Sequence, residues 1–298
     1  MASTRELRLR VRSIKNLAQV TRALETVSAS YVRRAVQATL ATTPYAQKAW
    51  QVLIHLANQP GGTSLHPLLT DRPVVRKILV VMVSGDRGLA GAYNVNILRQ
   101  TLMHFMDFTT PVDYVAVGRK GRDLLIRRGK NVVADFSQLP NPPTFADVSA
   151  IGRLVVDDFL NGTYDEVYIA YTEFVNMISQ KPTVRKLLPF TAADRIQGGD
   201  EEAKAANNHS NAVFVYEPDQ EELLNEIVPR FTALQIYQAI LSAQASEHAA
   251  RMVAMRNATD SANDLIDVLQ LEYNKLRQQL ITNEMLDISG GAEALSQG

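Results

Sequence analysis

Apolar residues recur every three or four positions near the start of the chain. Residues 3 to 43 contain neither glycine nor proline, and Ser3 or Thr4 can cap a helix there. The apolar positions are Leu7, Val11, Ile14, Leu17, Val20, Leu24, Val27 and Tyr31. Their spacing is close to the 3.5-residue period of a left-handed coiled coil. The pattern predicts one long helix with a coiled-coil seam.

The C-terminal third carries the same signal over a longer stretch. From Arg230 to Ser289 there is neither glycine nor proline, and steps of four and three alternate through Leu241, Ala245, His248, Met252, Met255, Thr259, Ala262, Ile266, Leu269, Tyr273, Leu276 and Leu280. At about 1.5 Å per residue this helix would be roughly 90 Å long. Because a compact domain of this size is narrower, we expect the helix to project and to pair antiparallel with the N-terminal one.

Between these helices the pattern alternates between strand-like and helical segments. The predicted strands are Ile78–Val83, Asp113–Val117, Val132–Phe136 and Glu166–Thr172, with possible edge strands at Leu187–Thr191 and Ala212–Tyr216. The predicted helices are Val95–Phe108, Lys120–Arg128 and Phe145–Leu160, and residues 192–210 read as a solvated loop. Alternating elements indicate a mostly parallel α/β layer.

The predicted fold class is therefore α/β, a long antiparallel coiled coil of the terminal helices with an inserted Rossmann-like domain. The predicted domains are residues 1–57 (N-terminal coiled-coil helix), 74–216 (α/β domain) and 217–298 (C-terminal helix, paired with 1–57).

Composition removes several classes of function. The 298 residues include no cysteine, which excludes disulfide frameworks and thiolate zinc sites. The longest strongly apolar run, Ile78–Val83, is far below the roughly 20 residues of a spanning helix. No cleaved signal sequence is expected, although an Arg-rich start leaves a transit peptide as an alternative.

The formal net charge is zero, but the N-terminal helix is basic. Between residues 1 and 34, eight basic residues stand against Glu6 and Glu25: Arg5, Arg8, Arg10, Arg12, Lys15, Arg22, Arg33 and Arg34. This helix face is either solvated or faces an acidic partner. DNA binding is a third reading, but a basic-zipper region needs a parallel dimer.

A glycine-rich segment, Ser84–Asn94, follows the first predicted strand, where a nucleotide-binding fold keeps its phosphate loop. It matches neither Gly-x-Gly-x-x-Gly nor the Walker pattern. A tight structural turn or contact loop is favoured, and nucleotide binding stays as the alternative. The five histidines show no metal-ligand spacing, His248 is expected to be packed or partner-facing, and no catalytic constellation is present.

Several motifs resemble one family. They are Glu6–Asn16 with Val20–Leu24, Ser84–Leu89 with Asn94, Ala245–Met252, Met255–Thr259, Tyr273–Gln278 and Ile281–Ile288 followed by Gly291-Ala292. Together they are similar to the gamma subunits of F-type ATP synthases, and the likeness spans essentially the whole chain.

The resemblance implies a non-catalytic central rotor that transmits torque between a c-ring and an alpha3beta3 hexamer, with no cofactor of its own. Implied partners are the alpha, beta, epsilon and delta subunits and the c-ring, with one copy per complex and no nucleic acid. It implies a peripheral membrane protein on the cytoplasmic face of a bacterial inner membrane, with an organellar inner membrane as the less favoured alternative.

The family pattern also implies contact residues. Arg277 and Gln278 match the pair that engages a beta-subunit loop. Further possible contacts are Lys275, Arg8, Arg12, Lys15 and Arg87. Lys275 stands where the family usually has arginine, and lysine lacks the bidentate fork that grips an anion. Two other hypotheses stay open: a nucleotide-dependent enzyme, which calorimetry with ATP, ADP and NAD would test, and a coiled-coil scaffold of another assembly.

Overall fold

Five helices and one five-stranded sheet make up the described chain. The computed structural model describes residues 3–57, 67–190 and 220–296. The helices are α1 (Thr4–Ala57), α2 (Tyr93–His104), α3 (Arg119–Arg127), α4 (Phe145–Leu160) and α5 (Gln220–Ser296), with a 3-10 turn at Pro67–Leu69. The strands are β1 (Ile78–Val83), β2 (Val112–Val117), β3 (Asn131–Phe136), β4 (Glu166–Phe174) and β5 (Gln180–Leu188). The predicted fold class is confirmed.

Two compact units are present. The first, the helix-pair unit, contains α1 up to Ser28 and α5 from Arg251 onward. The second, the α/β unit, spans Ala29–Ala250. The predicted strand Ala212–Tyr216 and the predicted loop at residues 192–210 lie outside the described residues.

Both terminal helices run through residues that the sequence pattern treats as boundaries. Pro44 lies inside α1 and Pro229 lies inside α5, so α5 begins ten residues before Arg230, where the stretch without glycine or proline starts. Proline costs about 3 kcal/mol in a helix interior. Burial offsets this cost, since Val228 and Phe231 flank Pro229 in the core and Ala46 packs against the same core after Pro44.

The helix-pair unit is antiparallel. The hydroxyls of Thr21 and Thr259 are 2.7 Å apart, and Arg256 Nε donates to Glu25 Oε1 at 2.8 Å. Nearer the start of α1, the guanidinium Nη2 of Arg8 donates to the Tyr273 hydroxyl at 2.6 Å. Residues later in α1 therefore contact residues earlier in α5, as antiparallel pairing requires.

The seam of α5 is the predicted one as far as Leu276, whereas the predicted seam residue Leu280 is 46% exposed. The seam of α1 differs more. On α5, Met252, Met255, Thr259, Ala262, Ile266 and Leu269 are buried. On α1, Leu17, Val20 and Val27 are 49–56% exposed, whereas Ala18, Thr21 and Ser28 are buried. The expectation for those three apolar residues was wrong. Small side chains at the contact let two helix backbones approach closely, and the larger apolar residues remain on the outside.

The α/β unit contains a sheet ordered β3-β2-β1-β4-β5. The first four strands are parallel, and β5 pairs antiparallel with β4. All six residues of β1 are buried, as expected for a central parallel strand covered on both faces. One face packs on α4 and α5. The other packs on α2 and α3.

Strand β5 was largely missed. The sequence pattern predicts an edge strand only at Leu187–Thr191, but β5 begins at Gln180. Pro182, Lys181 and the Arg185-Lys186 pair hide the strand, because proline and charge are typical of exposed edges rather than of core strands.

Close packing between α4 and α5 yields a testable expectation. A Cβ added at Gly152 would lie 2.7 Å from the Cβ of Ala233. We expect Gly152→Val to lower the free energy of unfolding by about 1–3 kcal/mol, the usual cost of overpacking a core. Urea unfolding measures the change. Gly88→Val is the matched control, because an added Cβ there meets nothing within 4 Å, and equal losses in both variants would contradict the packing argument.

Candidate partner-contact surface

Arg277 and Gln278 lie on α5 directly after Leu276, the last half-buried residue of the seam. Both side chains are exposed, and neither forms a hydrogen bond with another residue of the described chain. The backbone here is regular helix, and the Thr282 hydroxyl donates to the main-chain oxygen of Gln278 at 2.9 Å. A guanidinium and an amide are therefore presented outward from a rigid helix.

The end of α5 beyond these two residues is exposed and carries large apolar side chains among polar ones. Five large side chains are 46–73% exposed: Leu280, Ile281, Met285, Leu286 and Ile288. Contiguous exposed apolar residues on one helical segment usually mark a contact surface. We call Arg277–Ile288 the α5 tip.

The basic residues of α1 form a stripe with helical spacing. Arg8, Arg12 and Lys15 are separated by four and three positions and are exposed. Arg8 is engaged within the chain, because its guanidinium bonds the Tyr273 hydroxyl and lies 5.5 Å from the centre of that ring. Arg12 and Lys15 have no ion pair with the described residues, and neither does Lys275 on α5.

The glycine-rich segment forms a hydrogen-bonded turn at the carboxyl end of β1. Gly85 N donates to Asn94 Oδ1 at 2.9 Å, and both carboxylate oxygens of Asp86 accept from main-chain amides, Arg119 N at 3.0 Å and Gln138 N at 2.9 Å. Amides at strand ends are the groups that would hold a phosphate. Here a carboxylate of the chain itself occupies them, while Arg87 is exposed on the turn.

Ser84 joins the ends of β1 and β2. Its hydroxyl accepts from Gly121 N at 2.9 Å and lies 3.1 Å from Val117 O. An added Cβ at Gly121 would lie 2.4 Å from the Ser84 oxygen. The glycine at position 121 therefore permits α3 to start against this turn.

Helix α5 covers the crevice where the strand order reverses, between β1 and β4. Ser246 Oγ donates to Thr172 O at 3.0 Å, Phe174 N donates to Ser242 Oγ at 2.9 Å, and the Tyr93 hydroxyl donates to Ala243 O at 3.0 Å. A cavity of about 30 Å³ lies beside this contact, at the carboxyl ends of β1, β2 and β3. Ligand pockets usually measure about 300–1,000 Å³, so the position that doubly wound folds use for nucleotides is filled by the protein's own helix.

His248 is buried. Of the two environments predicted for it, packed within the chain or facing a partner, the structure shows the packed one. Its ring stacks on Tyr31 with centroids 4.8 Å apart, and it is hydrogen-bonded to the Asn141 side chain. Within the described ranges no group of three or more histidine, aspartate or glutamate side chains could hold a metal ion. No described helix is both long and apolar enough to cross a membrane.

The comparisons with known proteins agree with the sequence motifs. Residues 3–295 match the family model described as ATP synthase. The chain is 46% identical over 300 residues to the ATP synthase gamma chain of Roseiflexus sp. (strain RS-1), with both chains fully covered. The chain belongs to the ATP synthase gamma chain family.

A second member of the family, the ATP synthase gamma chain of Dehalococcoides mccartyi (strain CBDB1), is 43% identical, with 99% of this chain and 100% of that one covered. The fold is similar to that of a chain in the cryo-EM structure of the Euglena gracilis mitochondrial ATP synthase rotor in rotational state 1. The TM-score is 0.63 at 19% identity, covering 93% of this chain and 98% of that one.

Within this gamma chain family member, two structural roles escaped sequence reasoning. Asp86 ties the turn after β1 to the ends of β2 and β3, and Ser242 with Ser246 fastens α5 to β4. Serines at positions 242 and 246 are four apart on a helix, which indicates one shared face. Their acceptors were not predictable, because they lie about 70 residues away in sequence.

Proposed function

We propose that this chain is the central rotor of an F-type proton-translocating ATP synthase, carrying torque between a c-ring and an alpha3beta3 hexamer. Membership of the gamma chain family carries the proposal. The Euglena gracilis chain of similar fold belongs to a structure named as a rotor. The partners proposed for this chain are alpha, beta, delta and epsilon subunits and the c-ring, with one copy per complex.

The side chains of the α5 tip suit a contact in which this chain rotates against a partner. Apolar contact is non-directional, so the exposed residues from Leu280 to Ile288 can slide within an apolar sleeve at little cost. Arg277 and Gln278 add directional bonds, because a guanidinium fork and an amide hold a carboxylate or hydroxyl only at particular angles. This combination permits rotation and also distinguishes angular positions.

Torque requires that α5 be held firmly where it lies within the α/β unit, up to Ala250. The three hydrogen bonds to Ser242, Ala243 and Ser246 join α5 to β4 and α2, and Phe231, Leu234 and Ile240 bury apolar surface beside them. In this proposal the chain itself has no catalytic residue, and the nucleotide sites belong to the partners. We also propose a peripheral position on the cytoplasmic face of a bacterial inner membrane.

Reconstitution tests the proposal. Alpha and beta subunits would be assembled with the full chain, without it, or with a chain that ends at Leu276 and so lacks the α5 tip. We expect the full chain to raise steady-state ATP hydrolysis at least several-fold over alpha and beta alone, and the shortened chain to give less. Equal turnover with and without the full chain would refute the rotor assignment.

A further inference from the structure

Helix α3 presents a strongly basic face on the α/β unit. Residues 119–130 contain six basic side chains and one acidic one, Asp123. Five of the six are exposed, namely Arg119, Lys120, Arg127, Arg128 and Lys130. We call these five residues, together with Ile126, the α3 basic face. This face is positively charged, although the formal net charge of the whole chain is zero.

Most of this charge is not neutralised within the described chain. Arg122 is the basic residue of α3 that is satisfied, because it forms ion pairs with Asp123 and Asp135, each at 2.9 Å. Arg119 approaches Asp86 at 3.8 Å. Lys120, Arg127, Arg128 and Lys130 have no ion pair with a described residue. Like charges held on one helix repel each other, so an external acidic group would stabilise the face.

The arrangement along the helix is specific. Arg119 and Lys120 lie at the start of α3, and Arg127 and Arg128 lie eight residues later, about 12 Å away at 1.5 Å per residue. Ile126, which lies seven residues after Arg119 and directly before Arg127, is 57% exposed. Two cationic groups separated by an apolar side chain match a segment with acidic residues at both ends and an apolar residue between them.

The neighbouring edge of the sheet, strand β3, is poorly suited to pair with a strand of a partner. Strand β3 is an edge strand among the described strands, but its pairing with β2 shifts at Val133, which the register skips and which is 45% exposed. A bulge on an edge strand disfavours addition of a further strand. Strand addition at β3 is therefore disfavoured, and the basic helix beside it remains as a candidate surface.

We propose that the α3 basic face binds an acidic protein segment that carries an apolar residue between two acidic pairs. Three of its five cations are arginines, whose planar forks hold carboxylates through two parallel bonds. That chemistry favours side-chain carboxylates over a lipid surface, which attracts lysine and arginine alike through its mean potential. The proposal does not depend on the rotor assignment.

Binding to the purified full chain tests it directly. The probe is a labelled synthetic peptide with two glutamates at each end, eight residues apart, and leucine between them. A scrambled peptide of the same composition and vesicles containing phosphatidylglycerol are the comparison ligands. We expect the ordered peptide to bind at least about fivefold more tightly than the scrambled one, and more weakly as salt screens the charges.

The variant Lys120→Glu, Arg127→Glu, Arg128→Glu should raise the Kd of the ordered peptide at least about tenfold. A matched control, Arg99→Glu, Arg153→Glu, Lys181→Glu, changes the same charge at exposed residues outside the face and should alter Kd less than about twofold. Equal binding of the ordered and scrambled peptides, equal losses in both variants, or tighter binding to the vesicles than to the peptide would each overturn the proposal.

A photo-crosslinker at Ile126 extends the test to the assembled complex. We expect it to label a protein segment with acidic residues on both sides of the crosslinked position, and the charge-reversed variant to lose that product. Labelling of lipid, or of a segment without acidic residues, would count against the α3 basic face as an acidic-segment site.

Discussion

Replacing Arg277 and Gln278 together with alanine is expected to lower ATP turnover of the reconstituted complex about tenfold or more, with the fold intact. Both side chains are exposed and form no hydrogen bond or ion pair with the described residues, so the loss would come from partner bonds. Hydrogen bonds to charged groups contribute about 1.5–3 kcal/mol, and 1.4 kcal/mol in a barrier corresponds to a tenfold rate. Steady-state hydrolysis in complexes of verified stoichiometry measures the effect.

Two further variants define what the result means. Gln279→Ala removes a neighbouring exposed amide and should leave turnover within about twofold, because exposed substitutions away from contacts have small effects. The single variant Arg277→Lys keeps the charge but lacks the bidentate fork. Its turnover should therefore lie between that of the parent chain and that of the double alanine variant. Turnover unchanged in the double variant would remove both residues from the contact surface.

The second large effect concerns stability. Asp113 on β2 is buried and accepts hydrogen bonds from Tyr164 at 2.9 Å and from Asn131 at 2.8 Å, and Lys77 Nζ lies 2.7 Å from its carboxylate. We expect Asp113→Ala to lower the free energy of unfolding by about 2–4 kcal/mol. Losing one partner of a buried pair costs about 3–5 kcal/mol, and the partly exposed Lys77 regains some hydration.

Urea unfolding of the full chain at neutral pH measures this loss. Asp107→Ala is the matched control, because Asp107 is exposed and forms no hydrogen bond or ion pair through its side chain with the described residues; its effect should stay within about 0.5 kcal/mol. A loss for Asp113→Ala no larger than that of the control would show that the network does not stabilise the fold.

The same network makes stability depend on acid. Burial alone raises the pKa of Asp113, but the hydrogen bonds from Lys77, Asn131 and Tyr164 outweigh it, and the pKa is lowered overall. A lowered folded-state pKa stabilises the protein above the unfolded value near 3.9 and loses that contribution as pH falls through the folded value. Between about pH 5 and pH 2, the Asp113→Asn variant should therefore lose less unfolding free energy than the parent chain.

The helical and strand periods were readable from local sequence. Phe145–Leu160 is a helix with the predicted bounds, and its start is encoded by a capping box between Thr144 and Asp147. Strand β1 also has its predicted bounds, Ile78–Val83. Both elements carry their own signals, a cap or an unbroken apolar run, so neighbouring elements were not needed to define them.

The candidate contact surface divides in a similar way. Motif likeness pointed to Arg277 and Gln278, and their exposure on α5 is compatible with partner contact, which stays a prediction. Arg8 also stays a predicted partner contact, and its hydrogen bond with Tyr273 was not predicted. Two residues separated by 265 positions cannot be paired from the period of either helix alone.

Periodicity along the chain therefore established that two long helices and an alternating α/β middle exist, because burial of one face imposes a repeat that any sequence must carry. It did not establish which of two adjacent stripes on α1 forms the seam. Close backbone approach favours Ala18, Thr21 and Ser28 over the larger Leu17, Val20 and Val27, and that preference depends on the opposing helix. The filling of the β1/β4 crevice by α5 likewise depends on contacts between residues distant in sequence, which no local pattern contains.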